Sequence, residues 1–244
     1  MVLRRSSAGL TALVVIGLAP AAAGQSAPPL LQRIDRSHLC VTNGAVAAVP
    51  GGHLAIETPS SRAVVQAPAT NAADQIAEIH FRYLGPSRDS KPLASGELRR
   101  QIGLKLQAQD TCNLVYAMWR IEPKAMVAVS VKQNAGLHTH QQCGAHGYVN
   151  FQPQDQSLLP ILPGEAHTLR AELHGQNLTV TADSKVVWQG SLGSQIALPV
   201  GPPGFRTDNA RFALDYFTDA AAGSRRPPQQ RSVAQGWCAL SEGD

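Results

Sequence analysis

The chain has 244 residues and a formal net charge of +4, with 43% hydrophobic and 16% charged side chains. The length suits one large domain rather than two, and the small charge excess gives no reason to expect nucleic acid or another polyanion as partner. No stretch of the mature chain approaches the ~20 consecutive apolar residues of a membrane-spanning helix.

Met1 to Gly24 reads as a secretory signal: Arg4 and Arg5 form a positive start, Ala8 to Ala19 is an apolar run, and Ala21-Ala22-Ala23 supplies small residues for cleavage. Ser6-Ser7-Ala8 follows the arginine pair where a twin-arginine signal wants a bulky apolar residue, so ordinary secretion is expected, to the periplasm or beyond. Without Arg4 and Arg5, the 21 basic residues fall to 19 against 17 acidic ones. Residues 25–38, with Pro28-Pro29, read as a flexible mature terminus, and the folded domain is expected over 39–218.

Short candidate strands follow at Val46 to Val49, His53 to Glu57 and Arg62 to Gln66, separated by Pro50-Gly51-Gly52 and Pro59-Ser60-Ser61. Over Ile76 to Leu84 the alternation is firmer, with Ile79, Phe81 and Tyr83 opposite Glu78, His80 and Arg82. After the turn-rich Gly85 to Ser95, Ile102, Leu104, Leu106 and Ala108 point one way, and Gln101, Lys105, Gln107 and Gln109 the other. Leu114 to Ile121 and Ala125 to Lys132 continue this as successive antiparallel strands. Asn134 to Gly147 is loop-like, Tyr148 to Phe151 is a short strand, and Gln152 to Gly164 a proline-punctuated connection. Leu169, Ala171 and Leu173, then Leu178, Val180 and Ala182, then Val186 to Trp188 give three more strands joined by tight turns. Residues 219–244, with the run RRPPQQR, read as a linker and tail tied back through Cys238. The pattern is all-β: an antiparallel two-sheet sandwich.

Cys40, Cys112, Cys143 and Cys238 are an even number in an exported chain, which favours two disulfides with three possible connectivities. The expected pairs are Cys40 with Cys238, which would staple the two ends, and Cys112 with Cys143, which would tie adjacent strand regions.

The closing pattern, His167-Thr168-Leu169-Arg170, Leu178-Thr179-Val180, Val186-Val187-Trp188, then Gly201 to Phe205, Asn209 and Phe212 to Phe217, resembles the concanavalin A-like lectin/glucanase superfamily, in its laminin-G-like and glucanase-like jelly rolls. The resemblance covers the last third of the domain. It implies two curved antiparallel sheets with ligand on the concave face or at the loop rim. The paired glutamates flanking an aspartate on one strand, which mark the retaining glucanases of that superfamily, are absent.

Polar residues of one parity, Glu97, Arg99, Gln101, Lys105 and Gln107, form the first candidate ligand face, with His80 and Arg82 on a neighbouring strand and Trp119 as an exposed stacking platform. Amides and guanidinium groups give directional hydrogen bonds to sugar hydroxyls and carboxylates. A lyase would add a proton shuttle, His80 or Tyr116, beside Arg99 and Gln101. The bland alternative is a solvated sheet face. His138, His140 and His146 around Cys143 are the candidate metal ligands, but their spacing matches no standard zinc pattern and export favours an oxidised Cys143. Gly201 to Asn209 reads either as a rim loop presenting Arg206, Asp208 and Asn209, or as turn chemistry that sets up the last strand. The expectation is therefore a non-catalytic carbohydrate-binding or surface-interaction module without a cofactor. The alternatives are a polysaccharide lyase or glycoside hydrolase, and a structural envelope protein binding another protein.

Overall fold

The computed structural model describes residues 30–66, 74–154, 158 and 160–219. The signal segment, Trp237 and Cys238 lie outside the described residues. In chain order the strands are β1 (Gln32–Arg33), β2 (Leu39–Asn43), β3 (Ala47–Ala48), β4 (Leu54–Ile56), β5 (Ser60–Val65), β6 (Asp74–Pro86), β7 (Arg100–Leu106), β8 (Leu114–Glu122), β9 (Met126–Lys132), β10 (Tyr148–Phe151), β11 (Ala166–His174), β12 (Asn177–Ala182), β13 (Lys185–Ser191), β14 (Gly204–Asp208) and β15 (Ala210–Thr218). One short helix, α1 (His140–Cys143), interrupts the loop before β10.

These strands form two antiparallel sheets. The seven-stranded sheet runs β10-β9-β8-β7-β14-β5-β2. The eight-stranded sheet runs β13-β12-β11-β6-β15-β4-β3, with β1 also on β15. Alternation decides which side chains lie between them: Ile79 and Phe81 from β6, Ile102 and Leu104 from β7, and Ala117 and Trp119 from β8 are all buried in one core. Phe81 meets Trp119 and Phe212 edge-on, with ring centroids at 5.8 and 5.7 Å. Each large side chain so buried is worth about 1.5–3 kcal/mol over exposure.

The turns follow local chemistry. Asp183 and Ser184 both take positive φ, the geometry a two-residue hairpin loop needs to match strand twist. Asn209 is a single left-handed residue, φ 53°, at which the chain leaves β14 in one sheet and enters β15 in the other. Residues 167–217 thus do not stay in one sheet.

Two expectations are corrected here. Residues 30–38 are not a loose lead-in: Gln32 and Arg33 pair with Thr218 and Phe217, and Ile34 is buried in the core. Gly204–Asp208 is an interior strand between β7 and β5, not a rim loop. Within the expected loop of Asn134 to Gly147, the segment around His138 and His140 forms a turn and the short helix α1. Cys112 and Cys143 form a disulfide. Cys40 is disulfide-bonded as well, and its expected partner Cys238 lies outside the described residues.

Candidate functional site

The face of the seven-stranded sheet turned away from the core carries a second parity of side chains, and cross-strand register sorts them into rows. Arg120, Gln101, Asp208 and Ser60 lie side by side on β8, β7, β14 and β5. The next row is Met118, Gly103, Arg206 and Arg62, and the one after is Ser130, Tyr116, Lys105 and Gly204. Directly opposed residues share a face, so the rows form one continuous surface. Two central positions are glycines closely covered by their neighbours. A Cβ on Gly103 would sit 2.5 Å from both the Ala117 carbonyl oxygen and the Met118 sulfur, so the chain admits no side chain there.

Loops raise walls around this floor. Asn209 holds one of them: its Nδ2 donates to the carbonyls of Lys91 at 2.9 Å and Arg99 at 3.0 Å, and its Oδ1 accepts from the Lys91 amide at 2.7 Å. The other wall comes from α1 and β10, tied down by the Cys112–Cys143 bridge. Between them is a groove of ≈ 460 Å³, within the ~300–1,000 Å³ usual for small-molecule sites.

Asp208 anchors the floor. Its carboxylate accepts from Arg206 at 2.8 and 3.2 Å and from the Gln101 amide at 2.6 Å. Burial works against the Arg206 charge, yet Asp208, and then Tyr116 and Tyr148, hold that guanidinium's pKa well above its ordinary value. Arg206 also lies 5.5 Å over the Tyr116 ring, which stacks on Tyr148 at 6.4 Å, and Lys132 lies 5.2 Å over Tyr148. Burial first, then the neighbouring Tyr116, pushes the Tyr148 hydroxyl up to about 12, so it stays protonated at neutral pH. Lys132 is fully buried, donating to the carbonyls of Thr111 at 3.1 Å and Gly144 at 2.9 Å.

Arg99, Gln101 and Lys105 all line the groove, the first on its wall and the other two buried at its floor. Glu97 stands outside the lining and pairs with Arg99. Gln107 lies past the end of β7, buried, with its side-chain oxygen accepting from the Gly201 amide at 3.3 Å. His80 and Arg82 are not on this face at all. They sit on β6 in the other sheet, pointing away from the core, because Ile79, Phe81 and Tyr83 take the inner side. There His80 packs on Phe217 with ring centroids at 4.8 Å, and Glu78 pairs with Arg170 at 2.9 Å.

Trp119 is no platform: it is 2% exposed, in the core between Phe81 and His167. Trp188 is buried too, donating to the Gln152 carbonyl at 3.1 Å. His138 meets Asp110 at 2.8 Å, His140 lines the groove, and Cys143 is spent in its disulfide. No group of three metal-ligating side chains occurs among the described residues.

The two-sheet arrangement has solved counterparts. The carbohydrate binding module CBM66 from Bacillus subtilis superposes with a TM-score of 0.51 at 13% identity, over 72% of this chain and 91% of that one. The chain has the concanavalin A-like jelly-roll fold. Similar to it as well are the Emp46p carbohydrate recognition domain, at 16% identity over 80% of this chain and 95% of that one, with a TM-score of 0.46. A putative glycosyl hydrolase from Parabacteroides distasonis gives a TM-score of 0.46 at 12% identity, over 76% and 89% of the two chains. At such identities the likeness establishes the fold alone. No protein-family model and no curated protein matches the chain.

In this jelly roll the groove takes residues that the sequence reading did not place in a ligand face: Arg62, Arg120, Lys132 and Tyr148. The signal for Arg120 and Lys132 was present, since they share parity with Met118 and Ser130 on strands correctly recognised. Arg62 needed knowledge that β14 lies between β5 and β7.

Proposed function

We propose that this chain is an exported, non-catalytic carbohydrate-binding module whose ligand lies along the groove of the seven-stranded sheet. The observation that carries this is the groove itself: a cleft across successive strands, lined by the guanidinium groups of Arg99 and Arg120 with the Gln101–Asp208 pair beneath. Guanidinium and amide groups give directional hydrogen bonds to sugar hydroxyls. The stacked Tyr116 and Tyr148 add apolar surface at one end.

Among the described residues no Asp or Glu lines the groove, and Asp208 beneath it is engaged by Arg206 and Gln101. Glycosidase chemistry needs two carboxyl groups flanking the scissile bond, ~5–9.5 Å apart. The groove supplies neither. Export is supported by the Met1 to Gly24 sequence and by the Cys112–Cys143 bridge, which persists in an oxidising compartment. Among the described residues no helix is long and apolar enough to cross a membrane.

The test is affinity electrophoresis of the full chain through gels holding a panel of neutral and acidic polysaccharides, with parallel incubations assayed for new reducing ends and unsaturated products. Retardation without products is expected. No retardation by any polymer would sink the binding reading, and products that depend on the protein would replace it with an enzyme.

A further inference from the structure

The chain as a whole is near charge balance, but the groove is not. Arg62, Arg99, Lys105, Arg120, Lys132 and Arg206 line it, and no carboxylate does among the described residues. These cations are not equivalent. Arg206 has Asp208 bidentately beneath it, and Lys132 has two backbone carbonyls, so both are accounted for by the fold. Arg120 differs.

It rises from β8 at the wall where Arg99 arrives, and its charged neighbours are Arg99 and the exposed Glu97. Burial first, then Arg99, lowers its pKa, with Glu97 acting the other way. The Nε atoms of both Arg99 and Arg120 are buried without a hydrogen-bond partner. Those Nε atoms are closed to the groove, so a ligand would meet the outer guanidinium nitrogens; two like charges brought together there raise the energy of the empty groove, and an acid group placed against both would relieve it.

Given that the groove is a glycan site, we propose that its ligand is an anionic polysaccharide, with the Arg99–Arg120 pair receiving the acid group of one sugar unit. Guanidinium forks bind planar carboxylates and sulfate esters alike, so the shared chemistry is an oxyanion carried on a sugar.

Affinity electrophoresis of the full chain against polygalacturonate, dextran sulfate, unmodified dextran and single-stranded DNA tests this. Retardation by polygalacturonate or dextran sulfate and not by dextran is expected, and which of the two is stronger identifies the oxyanion. Each charge-assisted hydrogen bond lost should weaken binding about tenfold or more, so R120M and R99M should each bind at least that much less tightly, with R120K intermediate. Neither variant removes a partner of the core, so neither should lower the thermal midpoint, and relief of the Arg99–Arg120 repulsion should raise that of R120M.

Equal retardation by dextran overturns the anionic assignment while leaving the glycan reading intact. Failure of every polysaccharide removes both. Acidic polymers that bind R120M and R99M as well as the parent overturn the subsite, and DNA retarding the protein as strongly as polygalacturonate makes the groove an unspecific polyanion surface.

Discussion

Replacing Asp208 by alanine isolates the energetic cost of the groove floor. Asp208 is 1% exposed and Arg206 is 9% exposed, so the pair is out of water. The carboxylate offers Arg206 two acceptors, at 2.8 and 3.2 Å, and Gln101 one at 2.6 Å. Its removal leaves a buried guanidinium without a counter-charge, which costs about 3–5 kcal/mol, and part of that is the Gln101 amide losing its acceptor. Against a total stability of ~5–15 kcal/mol this is a large fraction. Urea unfolding under non-reducing conditions, followed by the fluorescence of the buried Trp119 and Trp188, should show a lower midpoint at unchanged slope. The double variant R206M/D208L removes both charges and fills similar volume, so it should recover most of the loss. A D208A cost below about 1 kcal/mol, or a double variant as unstable as the single, would refute the claim that this pair is held by mutual compensation in a dry floor.

Tyr148 predicts an alkaline signature. Burial raises its folded pKa to about 12 from the ordinary tyrosine value of 10.0, so the folded state holds the proton more tightly. Its contribution to stability is therefore complete below pH 10 and lost as pH rises through 12. Y148F should flatten that part of the stability curve, and the difference between ultraviolet titrations of the parent and Y148F should show the Tyr148 tyrosinate appearing only in the same window; ionisation of Tyr148 near pH 10 would contradict the burial argument. G103A should destabilise the fold by about 1–3 kcal/mol through overpacking, since its Cβ would press on the Ala117 carbonyl; an unchanged melting temperature would show that the floor has slack. Replacing Cys112 and Cys143 together by alanine opens a loop with a sequence separation of 31, worth about 3–4 kcal/mol in the chain-entropy account. Differential scanning calorimetry should register it, and a loss under about 1 kcal/mol would mean that the unfolded chain is already constrained there.

Strand rhythm carried most of the fold. Tyr148 to Phe151 was read at its observed bounds, and β7, β8 and β9 were recognised as successive neighbours because a period of two is a local property of the chain. Sheet membership is not local. Parity says that Glu78, His80 and Arg82 share a face of β6, but whether that face adjoins the one bearing Gln101 depends on where the chain crosses between sheets. The polar Gly85 to Ser95 connection gives no sign of a crossing. Trp119 went wrong for a different reason. As an exposed platform it conflicts with its own strand: the alternation that puts Val115, Ala117 and Ile121 in the core takes Trp119 with them and turns Arg120 to the groove.

Charge shows the same division between local and assembled information. Basic residues from β5, β7, β8, β9 and β14 and the wall loop are scattered along the sequence among nearly as many acidic ones, so net charge reports almost nothing. Register brings six of them to one hollow while the acidic residues go elsewhere: Glu78, Glu172 and Asp215 are paired on the outer face of the opposite sheet, and Asp208 is consumed beneath Arg206. A sandwich has two outer faces, and this chain has divided its charges unequally between them. The face rich in salt bridges has satisfied its charges internally. The groove instead gathers six cations with no carboxylate in its lining among the described residues, and the like-charge repulsion between Arg99 and Arg120 is what a bound oxyanion would relieve.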